Sequence, residues 1–441
     1  MMNQDNLASI ENQMIPEGYK KTDLGLIPDD WTIKSFEQVT SKIGDGIHST
    51  PIYSSTGEYY FINGNNLVAG SVLIDGETKK ISSKEFRKYK QILSGKTILL
   101  SINGTIGNRA FYNAEPVLLG KSAAFLNINS ECSVPYIYYV LGSKRTLDQF
   151  NDGLTGSTIK NLGLGTIRNT LIPMPILAEQ EKIATALSDT DALISELEKL
   201  IEKKQAIKNA TMQQLLTGKT RLPEFTLRED GTPKAYKDSE LGQIPEDWTI
   251  KKLSDLATVK TGGTPSTVNN LYWNGGYLWC TPTDITALKG SKYLTGTSRT
   301  LSKLGIENSS AEVLPIDTIV MSSRATIGEC AILKKQASTN QGFKNFICFE
   351  DTSNEYIYYL LTTLKQDFIG LCSGSTFLEI STTQVRNFKV KIPRFDEQLA
   401  ISEVLSNIDT EIAQLNFKLA KVKNIKLGMI QELLTGKTRL V

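Results

Sequence analysis

Short apolar runs alternate with turn-forming residues over two long stretches of the chain, residues 24–172 and 241–392. Examples are KTILLSI at 96–102 and DTIVMSS at 317–323. Apolar runs of this length, rich in β-branched residues and bounded by Gly, Ser, Thr and Asn, predict strands. The tyrosine-rich run VPYIYYVLGS at 134–143 predicts one of a few helices. Each stretch is therefore expected to form a mixed, strand-rich domain.

A different pattern follows each stretch, because apolar residues there recur in alternating steps of three and four. Residues 179–216 contain no Gly or Pro, and a helix of that length would extend about 57 Å. The heptad period predicts long helices with a narrow apolar stripe. We predict that the two helices pair as an antiparallel coiled coil; packing of each helix on its own domain is the alternative. The predicted seam consists of Ile183, Leu187, Ile194, Leu197, Ile201 and Ile207 in the first helix and Ile401, Leu405, Ile408, Ile412, Leu415, Leu419, Val422, Ile425 and Met429 in the second.

The two halves of the chain are repeats of one unit. LGLIPDDWTIK at 24–34 recurs as LGQIPEDWTIK at 241–251, and QQLLTGKTRL at 213–222 recurs as QELLTGKTRL at 431–440. Such self-similarity indicates a duplicated architecture. We predict an α+β fold with two mixed, strand-rich domains, two long helices and an internal two-fold repeat. The predicted boundaries are 1–20 for an N-terminal tail, 21–172 for the first domain, 173–222 for the first helix, 223–240 for a linker, 241–392 for the second domain and 393–441 for the second helix.

The repeated Gly-Lys-Thr looks like the end of a phosphate-binding loop, but its context differs. Such a loop requires another glycine five residues before Gly218 or Gly436, and a strand before the loop. Gln213 and Gln431 stand there instead, and the pattern of the preceding segment is helical. A glycine just past a helix closes the last turn in a left-handed conformation. The sequence therefore predicts two helix ends and no nucleotide site.

Charge and composition exclude several classes of protein. The 441 residues include 49 basic and 47 acidic side chains, so a nucleic-acid contact would depend on local basic patches. Five widely spaced cysteines and a single histidine, His48, argue against a disulfide framework and a zinc site. No apolar run reaches the roughly 18 residues of a membrane span. We expect a soluble chain in the reducing cytoplasm.

Motifs of catalysis are also missing from the sequence. It has no G-x-S-x-G elbow, dinucleotide fingerprint, H-E-x-x-H pair or amino-methyltransferase tetrapeptide. Asp29, Asp30 and Asp247 precede the repeated Trp31 and Trp248. We interpret these carboxylates as caps of a turn or helix rather than as a nuclease site. The sequence therefore offers few candidates for catalysis, and we predict no cofactor and no metal.

A set of ordered motifs, each present twice, resembles the specificity subunit of a Type I restriction–modification system. They are LGxIPxDW at the start of each domain, TIG in its middle, GST followed by (I/V)RN, P-x-x-x-EQ at the entry to each helix, and LLTGKTRL at its end. The resemblance covers essentially the whole chain from about residue 16. The first domain departs from the pattern in having LGKSAAF at 119–125, where the second has STNQGF at 338–343, the form typical of the family.

The resemblance implies two target recognition domains separated by spacer helices, in a subunit that reads DNA while other subunits modify and cut it. The implied partners are double-stranded DNA, two methyltransferase subunits and restriction/translocase subunits. Because the two domains share a scaffold, each is expected to read one half of a bipartite, asymmetric target. The alternatives are a coiled-coil adaptor without a DNA role and an unrecognised DNA-modifying enzyme.

Candidate DNA-binding residues follow from the chemistry of base edges, which short polar side chains and Arg distinguish. In the first domain the polar candidates near strand ends are His48, Ser49, Thr50, Asn63, Asn65, Asn66, Asn103 and Asn108. In the second domain they are Ser266, Thr267, Thr281, Thr283, Asp284, Arg324 and Gln341, with Val268 and Glu329 at two further equivalent positions. Basic candidates for phosphate contact are Lys121, Lys160, Arg168, Lys344 and Arg386. Turn formation and surface solvation are the alternative roles for these two groups.

Overall fold

The structure, a computed structural model, describes residues 15–156, 160–372 and 378–440. These residues form two compact units. The first unit contains the chain up to Glu198 and again from Phe417 onward, and the second contains Lys199–Asn416. Residues 1–14 of the predicted tail and most of both GST motifs lie outside the described residues. Each unit therefore contains one strand-rich domain and a part of each long helix.

The first unit contains the elements predicted for the first domain. Its strands are β1 (Tyr19–Thr22), β2 (Gly25–Pro28), β3 (Thr32–Ser35), β4 (Thr40–Asp45), β5 (Tyr59–Ile62), β6 (Leu67–Val68), β7 (Ser71–Val72), β8 (Lys80–Ile81), β9 (Thr97–Ser101), β10 (Arg109–Phe111), β11 (Val117–Leu119), β12 (Ala123–Ile128), β13 (Leu154–Thr155), β14 (Asn161–Leu162) and β15 (Leu171–Met174). Its short helices are α1 (Phe36–Val39), α2 (Ser83–Tyr89), α3 (Val134–Leu141), α4 (Lys144–Asp152) and α5 (Leu164–Asn169). The strand predicted at 96–102 and the helix predicted at 134–143 are confirmed as β9 and α3.

The central sheet of this unit has the order β10-β9-β12-β4, and its neighbouring strands are antiparallel. A second sheet has the order β11-β5-β8, in which β11 and β5 are parallel. Every residue of β9 is buried, so this strand is apolar along most of its length rather than alternating. The start and the end of the domain meet where β3 pairs with β15.

The second unit repeats this arrangement. Its strands are β16 (Tyr236–Lys237), β17 (Ile244–Pro245), β18 (Thr249–Lys252), β19 (Ala257–Thr261), β20 (Trp273–Cys280), β21 (Tyr293–Leu294), β22 (Arg299–Leu301), β23 (Ile319–Ser322), β24 (Cys330–Leu333), β25 (Ala337–Thr339), β26 (Phe343–Cys348) and β27 (Lys389–Ile392). The central sheet has the order β19-β26-β23-β24-β21 and the second sheet β22-β20-β25. β18 pairs with β27, as β3 does with β15 in the first unit.

Two long helices complete the units. The first is α6 (Leu177–Leu215), and the helices after it are α7 (Pro282–Thr286), α8 (Lys303–Glu307), α9 (Asn354–Thr363), α10 (Lys365–Leu371), α11 (Thr382–Asn387) and α12 (Phe395–Leu433). Both α6 and α12 contain 39 residues. The two predicted long helices are confirmed, and α12 continues without a break through Gly428.

Within each unit, α6 and α12 run antiparallel. In the first unit Lys426 binds Asp191, and Lys423 Nζ lies 2.7 Å from Glu198 Oε1. The number of one partner rises as that of the other falls, as antiparallel packing requires. The same reversal occurs in the second unit, where the ion pairs are Lys204 with Glu411 and Lys208 with Asp409.

The predicted seam separates into three groups in the structure. Along the helices Leu197 and Val422 are buried, and six other predicted seam residues are half-buried: Ile194, Ile201, Ile408, Ile412, Leu415 and Leu419. Met429 is also half-buried and packs against the core of the first unit. Four more belong to the apolar cores of the domains, which favours packing of each helix on its own domain at these positions: Ile183 and Leu187 in the first unit and Ile401 and Leu405 in the second. Ile207 and Ile425 are exposed, so the prediction that they lie in the seam is wrong.

The repeated TGKTR segment ends each long helix and then packs on a domain. Gly218 and Gly436 have φ of +72° and +74°, as the predicted left-handed helix ends require. A Cβ atom on Gly218 would lie 2.8 Å from Pro245 Cδ and 3.3 Å from Trp248 Cζ3. Any other residue at this position would therefore strain the backbone and push the helix end away from the tryptophan.

The arginine of TGKTR pairs with a buried glutamate at the start of a long helix. In the second unit Arg221 Nη2 lies 2.6 Å from Glu397 Oε2, and Arg221 Nη1 lies 2.9 Å from Asp247 Oδ1. Trp248 Nε1 donates to Glu397 Oε2 at 3.0 Å. We call Arg221, Glu397, Asp247, Trp248 and Gly218 the helix-end contact of the second unit.

The first unit has an equivalent helix-end contact, made by the last residues of the chain. Arg439 lies 2.6 Å from Glu179 and 2.7 Å from Asp30, and Trp31 Nε1 donates to Glu179 Oε2 at 3.0 Å. Asp30 and Asp247 therefore bind arginine, and the interpretation of these two carboxylates as caps is wrong. Glu179 and Glu397 are the Glu of the repeated P-x-x-x-EQ motif, in the first turn of each long helix.

Candidate nucleic-acid interface

Antiparallel strands bring the sequence-predicted polar residues of the second unit to one edge of the central sheet. Arg324 lies two residues after the end of β23, and Gln341 lies two residues before the start of β26. These strands are neighbours, with Met321 opposite Lys344. The end of one strand and the start of the other therefore meet, and both loops project from the same edge.

These loops border a polar cleft of about 840 Å³. Three predicted DNA-binding residues line the cleft, Arg324, Gln341 and Lys344, and the sequence analysis missed Glu379 beside them. The remaining lining residues are Thr261, Gly262, Ser381, Thr382 and Gln384. The cleft thus brings together residues from β19 and α11, which lie more than a hundred positions apart in the sequence.

One carboxylate holds both cations of the cleft. Glu379 Oε2 lies 2.9 Å from Arg324 Nε, and Glu379 Oε1 lies 3.7 Å from Lys344 Nζ. The Lys344 side chain is only 4% exposed. Burial lowers the pKa of Lys344, and the nearby Arg324 lowers it further, whereas Glu379 opposes the change. Two cations against one carboxylate give this edge a positive character, which favours phosphate or base acceptors.

The same edge of the first unit has different side chains on the same backbone. Asn103 follows β9 and forms an isolated backbone β-bridge with Asn161, as Arg324 does with Glu379. We call these two pairings the bridges of the sheet edges. Adjacent to these bridges, Leu162 N donates to Ile102 O at 2.9 Å, and in the second unit Ile380 N donates to Ser323 O at 3.2 Å. The two units therefore share the backbone hydrogen bonding at this edge. The first unit has two amide side chains where the second has an ion pair.

Three further candidates of the first unit are exposed around this edge: Asn108, Lys121 and Lys160. Lys121 lies two residues before β12, which is the position of Gln341 before β26. Exposure keeps these side chains accessible to a ligand.

The loops after β4 and β19 are also exposed. His48, Ser49 and Thr50 lie in the first of these loops, and Ser266 and Thr267 lie in the second. His48 is 74% exposed, and its Nε2 lies 2.8 Å from Asp45 Oδ2. In the second unit Thr264 shares a hydrogen bond with Gln341, which connects this loop to the cleft.

Four other candidates have side chains that hold their own loops. Asn63 Oδ1 accepts from Ser122 Oγ at 2.9 Å, and Asn66 Oδ1 accepts from Asn63 N at 2.9 Å. Asp284 accepts from Thr281 N at 2.8 Å and from Thr281 Oγ1 at 2.6 Å. For these residues the structure favours the turn-forming alternative over base contact.

The pKa of Asp284 agrees with this structural role. Burial acts to raise it, but hydrogen bonds from Thr281 and Ser298 outweigh burial and lower the pKa. The carboxylate of Asp284 therefore stays ionised, and its oxygens already accept hydrogen bonds from Thr281 and Ser298. The neighbouring candidates Asn65 and Thr283 are exposed.

Two arginines that were candidates for phosphate contact instead support the sheet. Arg168 Nη2 donates to Ile43 O at 3.3 Å, and Arg386 Nη2 donates to Val259 O at 2.7 Å. Arg168 is half-buried and Arg386 is exposed, and they join α5 and α11, respectively, to the first strand of the central sheet. Their equivalent positions in the two units indicate a shared structural role.

Within the described ranges, the chain has no cluster of His, Cys, Asp and Glu that could hold a metal ion. The cysteines Cys132, Cys280, Cys330, Cys348 and Cys372 are all free thiols. Among the helices of the same ranges, none combines the length and the apolar character needed to cross a membrane.

Comparison with known proteins assigns the class of this chain. The family described as Type I restriction modification DNA specificity domain matches it twice, at residues 28–209 and 245–424. The chain therefore belongs to the family of type I restriction enzyme specificity subunits, the non-catalytic component that gives the system its DNA sequence specificity.

Individual relatives agree with this class. The putative type I restriction enzyme MjaX specificity subunit of Methanocaldococcus jannaschii is 27% identical over 96% of this chain and 97% of its own length. The MjaIX specificity subunit of the same organism is 35% identical, over 40% of each chain. The EcoR124I/EcoR124II specificity subunit of Escherichia coli is 24% identical over 62% of this chain and 63% of its own length.

Solved structures share the fold. The type I restriction–modification S subunit from M. genitalium matches with a TM-score of 0.54 and 17% identity, over 91% of this chain and 96% of that chain. A chain in a structure of the assembly and conformational transition of a type I restriction–modification system matches with a TM-score of 0.55 and 14% identity, over 93% and 99%. The predicted α+β architecture with a duplicated domain is thereby confirmed.

Proposed function

We propose that this specificity subunit reads a bipartite, asymmetric DNA target, with one half-site for each domain, and that it scaffolds two methyltransferase subunits and the restriction subunits. The observation that carries the proposal is the contrast at the sheet edge. Both units present polar loops from equivalent strands, but Asn103 in one corresponds to Arg324 in the other. A shared scaffold with different base-reading groups suits two different half-sites.

The electrostatics of the second unit also suit DNA. Among the described residues that line the cleft, Arg324 and Lys344 share Glu379 as their one acidic partner. An edge with excess positive charge binds the phosphate backbone, and Arg and Gln side chains then distinguish bases in the major groove. Positioning and sequence reading can therefore come from the same set of loops.

A methylation map tests the reading function. The full chain would be expressed with its methyltransferase partner in a host that lacks other modification systems, and methylated bases would be mapped across the genome. We expect one motif of two blocks separated by a gap of unspecified sequence, and its loss when the chain is omitted. An unchanged map without the chain would favour the adaptor alternative. Cutting or methylation of DNA by the purified chain alone would favour the enzyme alternative.

The long helices offer equivalent surfaces for two methyltransferase subunits. Ile425 in the first unit and Ile207 in the second occupy the same position of the repeat, and their exposures are 48% and 42%. Further apolar side chains of the long helices are exposed: Leu193, Leu200, Phe417 and Leu427. A surface with several exposed apolar side chains favours a protein partner. Two copies of one surface predict two copies of one partner.

Single and double substitutions test this stoichiometry. Ile207→Asp and Ile425→Asp should each remove one methyltransferase subunit from the complex, and the double variant should remove both. Native mass measurement reports the change, and Lys418→Asp, on an exposed part of α12, is the control. A wild-type complex that stays one-to-one at saturating partner would contradict the proposal.

A further inference from the structure

The two bridges at the sheet edge differ in the base that their side chains suit. We infer that Arg324, held by Glu379, reads a guanine in the half-site of the second unit, whereas Asn103 and Asn161 read an adenine in the half-site of the first. This inference rests on the proposed function, because it assigns bases to half-sites that the proposal requires.

Arg324 is oriented for bidentate donation. Its Nε faces Glu379 Oε2 at 2.9 Å, and its side chain is 47% exposed. Among the residues that the structure describes, its terminal nitrogens make no hydrogen bond. A guanidinium fixed at Nε presents two parallel N–H donors, and guanine alone offers two acceptors, O6 and N7, at the matching spacing in the major groove.

The backbone around Arg324 keeps the loop in place. Ser322 Oγ accepts from Glu329 N at 3.2 Å, and Gly328 N donates to Ser322 O at 2.9 Å. Ala325 adopts a φ of +56°, so the chain turns sharply directly after the arginine. A loop closed by these hydrogen bonds costs little entropy on binding, which favours a side chain that reads rather than one that only neutralises charge.

The corresponding position of the first unit has the opposite chemistry. Asn103 and Asn161 bring two neutral amides to the same bridge. An amide offers one donor and one acceptor, which match N7 and the N6 amino group of adenine. Guanine presents two acceptors, so the amide oxygen would face an acceptor and remain unpaired. The first unit should therefore discriminate against the base that the second prefers.

The neighbouring side chains differ in the same sense. In the second unit the buried Lys344 lies opposite Thr261, whereas Ala124 lies opposite Asp45 in the first. The second unit thus has a lysine where the first has an alanine, and a threonine where the first has an aspartate. Guanine, with its two acceptors, therefore fits the edge of the first unit less well than the edge of the second.

Exchange of the bridge residues tests the inference. The variant Arg324→Asn with Glu379→Asn gives the second unit the side chains of the first, and Asn103→Arg with Asn161→Glu does the reverse. Full chains would be mapped for methylation with the partner methyltransferase, and binding would be measured on synthetic duplexes that carry single base-pair changes.

We expect each double variant to change one base pair in one half-site, from G·C to A·T in the second or from A·T to G·C in the first. Binding to the original duplex should fall by about 5- to 150-fold. Arg324→Lys retains the charge but not the paired donors, so it should lose discrimination at that base pair alone.

The control Lys303→Asn with Glu307→Asn removes another exposed ion pair of the second unit, outside the cleft. It should leave the target unchanged. An unaltered second half-site in a folded Arg324→Asn, Glu379→Asn chain, or a second half-site without guanine, would overturn the inference while the bipartite target stands. Absence of any chain-dependent bipartite motif would overturn the proposed function as well.

Discussion

The helix-end contacts and the sheet edges give opposite results when the two units are compared. At the helix ends, the same five residue types recur, with an arginine, a buried glutamate, an aspartate, a tryptophan and a glycine in each unit. At the sheet edges, equivalent backbone positions have amides in one unit and an ion pair in the other. Identity at the helix ends indicates that the first region has a structural role, and difference at the edges supports the proposal that the second region distinguishes the half-sites.

The largest expected effect comes from the more deeply buried helix-end contact. In Arg221→Met, Glu397 would remain buried with Trp248 as its hydrogen-bond donor, and breaking such a pair costs about 3–5 kcal/mol. The equivalent Arg439→Met should cost less, because Arg439 is 24% exposed whereas Arg221 is 5% exposed. Chemical denaturation of both variants gives the free energy of unfolding. Equal losses would contradict the comparison.

Acid should weaken the same contact. Burial alone would raise the pKa of Asp247. The hydrogen bonds and charges of Lys234 and Arg221 outweigh the effect of burial, so the pKa in the folded protein is lowered. A lowered folded pKa stabilises the protein above the unfolded value of about 3.9, and this contribution is lost as the pH falls through the folded pKa. Unfolding measured from pH 6 downward should therefore show a stability loss below about pH 4 that is smaller in Asp247→Asn. An identical pH profile in the variant would contradict this assignment.

A smaller effect is expected where a tyrosine of each domain binds a long helix. Tyr359 donates to Asp409 at 2.6 Å in the second unit, and Tyr139 donates to Asp191 at 2.8 Å in the first. A hydrogen bond to a charged group contributes about 1.5–3 kcal/mol. Tyr359→Phe and Tyr139→Phe should each destabilise their unit by no more than this range.

The two tyrosine variants also compare the units, because only the second has Lys292 beside its tyrosine, at 3.2 Å from the hydroxyl. Tyr359→Phe removes a partner of this buried lysine, so it should be the more harmful of the two. Calorimetric unfolding of both variants measures the difference, and a larger loss in Tyr139→Phe would count against the role of Lys292.

The smallest stability effect is expected at the exposed loops. His48→Ala and Ser266→Ala should change the free energy of unfolding by less than about 0.5 kcal/mol, because exposed side chains contribute little. If these residues contact DNA, each variant should weaken DNA binding. The lost binding should depend on the sequence of one half-site only, the one read by the unit that carries the substitution. A large loss of stability without a loss of binding would assign these loops to the fold.

Local sequence patterns predict much of the architecture. The heptad steps and the absence of Gly and Pro predict α6 and α12, and the repeated motifs predict two similar domains. The same apolar stripe can cover a second helix or a sheet, however, so the pattern does not decide that Ile183 packs in a domain core or that Ile425 is exposed. That choice depends on contacts between distant parts of the chain.

The candidate site was predictable only in part, for a related reason. Arg324, Gln341 and Lys344 were found because polar residues near strand ends stand out in the sequence, and the cleft brings them together. Glu379 and Asn161 were missed because their bridges join segments that are far apart in sequence. A comparison of the two repeats position by position would have shown this pair, since it differs in charge within a shared backbone.

The central claim is that each domain reads its own half-site, and a duplicated-domain chain tests it most directly. Residues 241–392 would be replaced by a second copy of residues 24–172, which retains IPDDW and therefore the residues of the helix-end contact. With its partner methyltransferase, this chain should methylate a target whose two blocks carry the same bases, both those of the first half-site. A map in which the second block keeps its original bases would contradict the account.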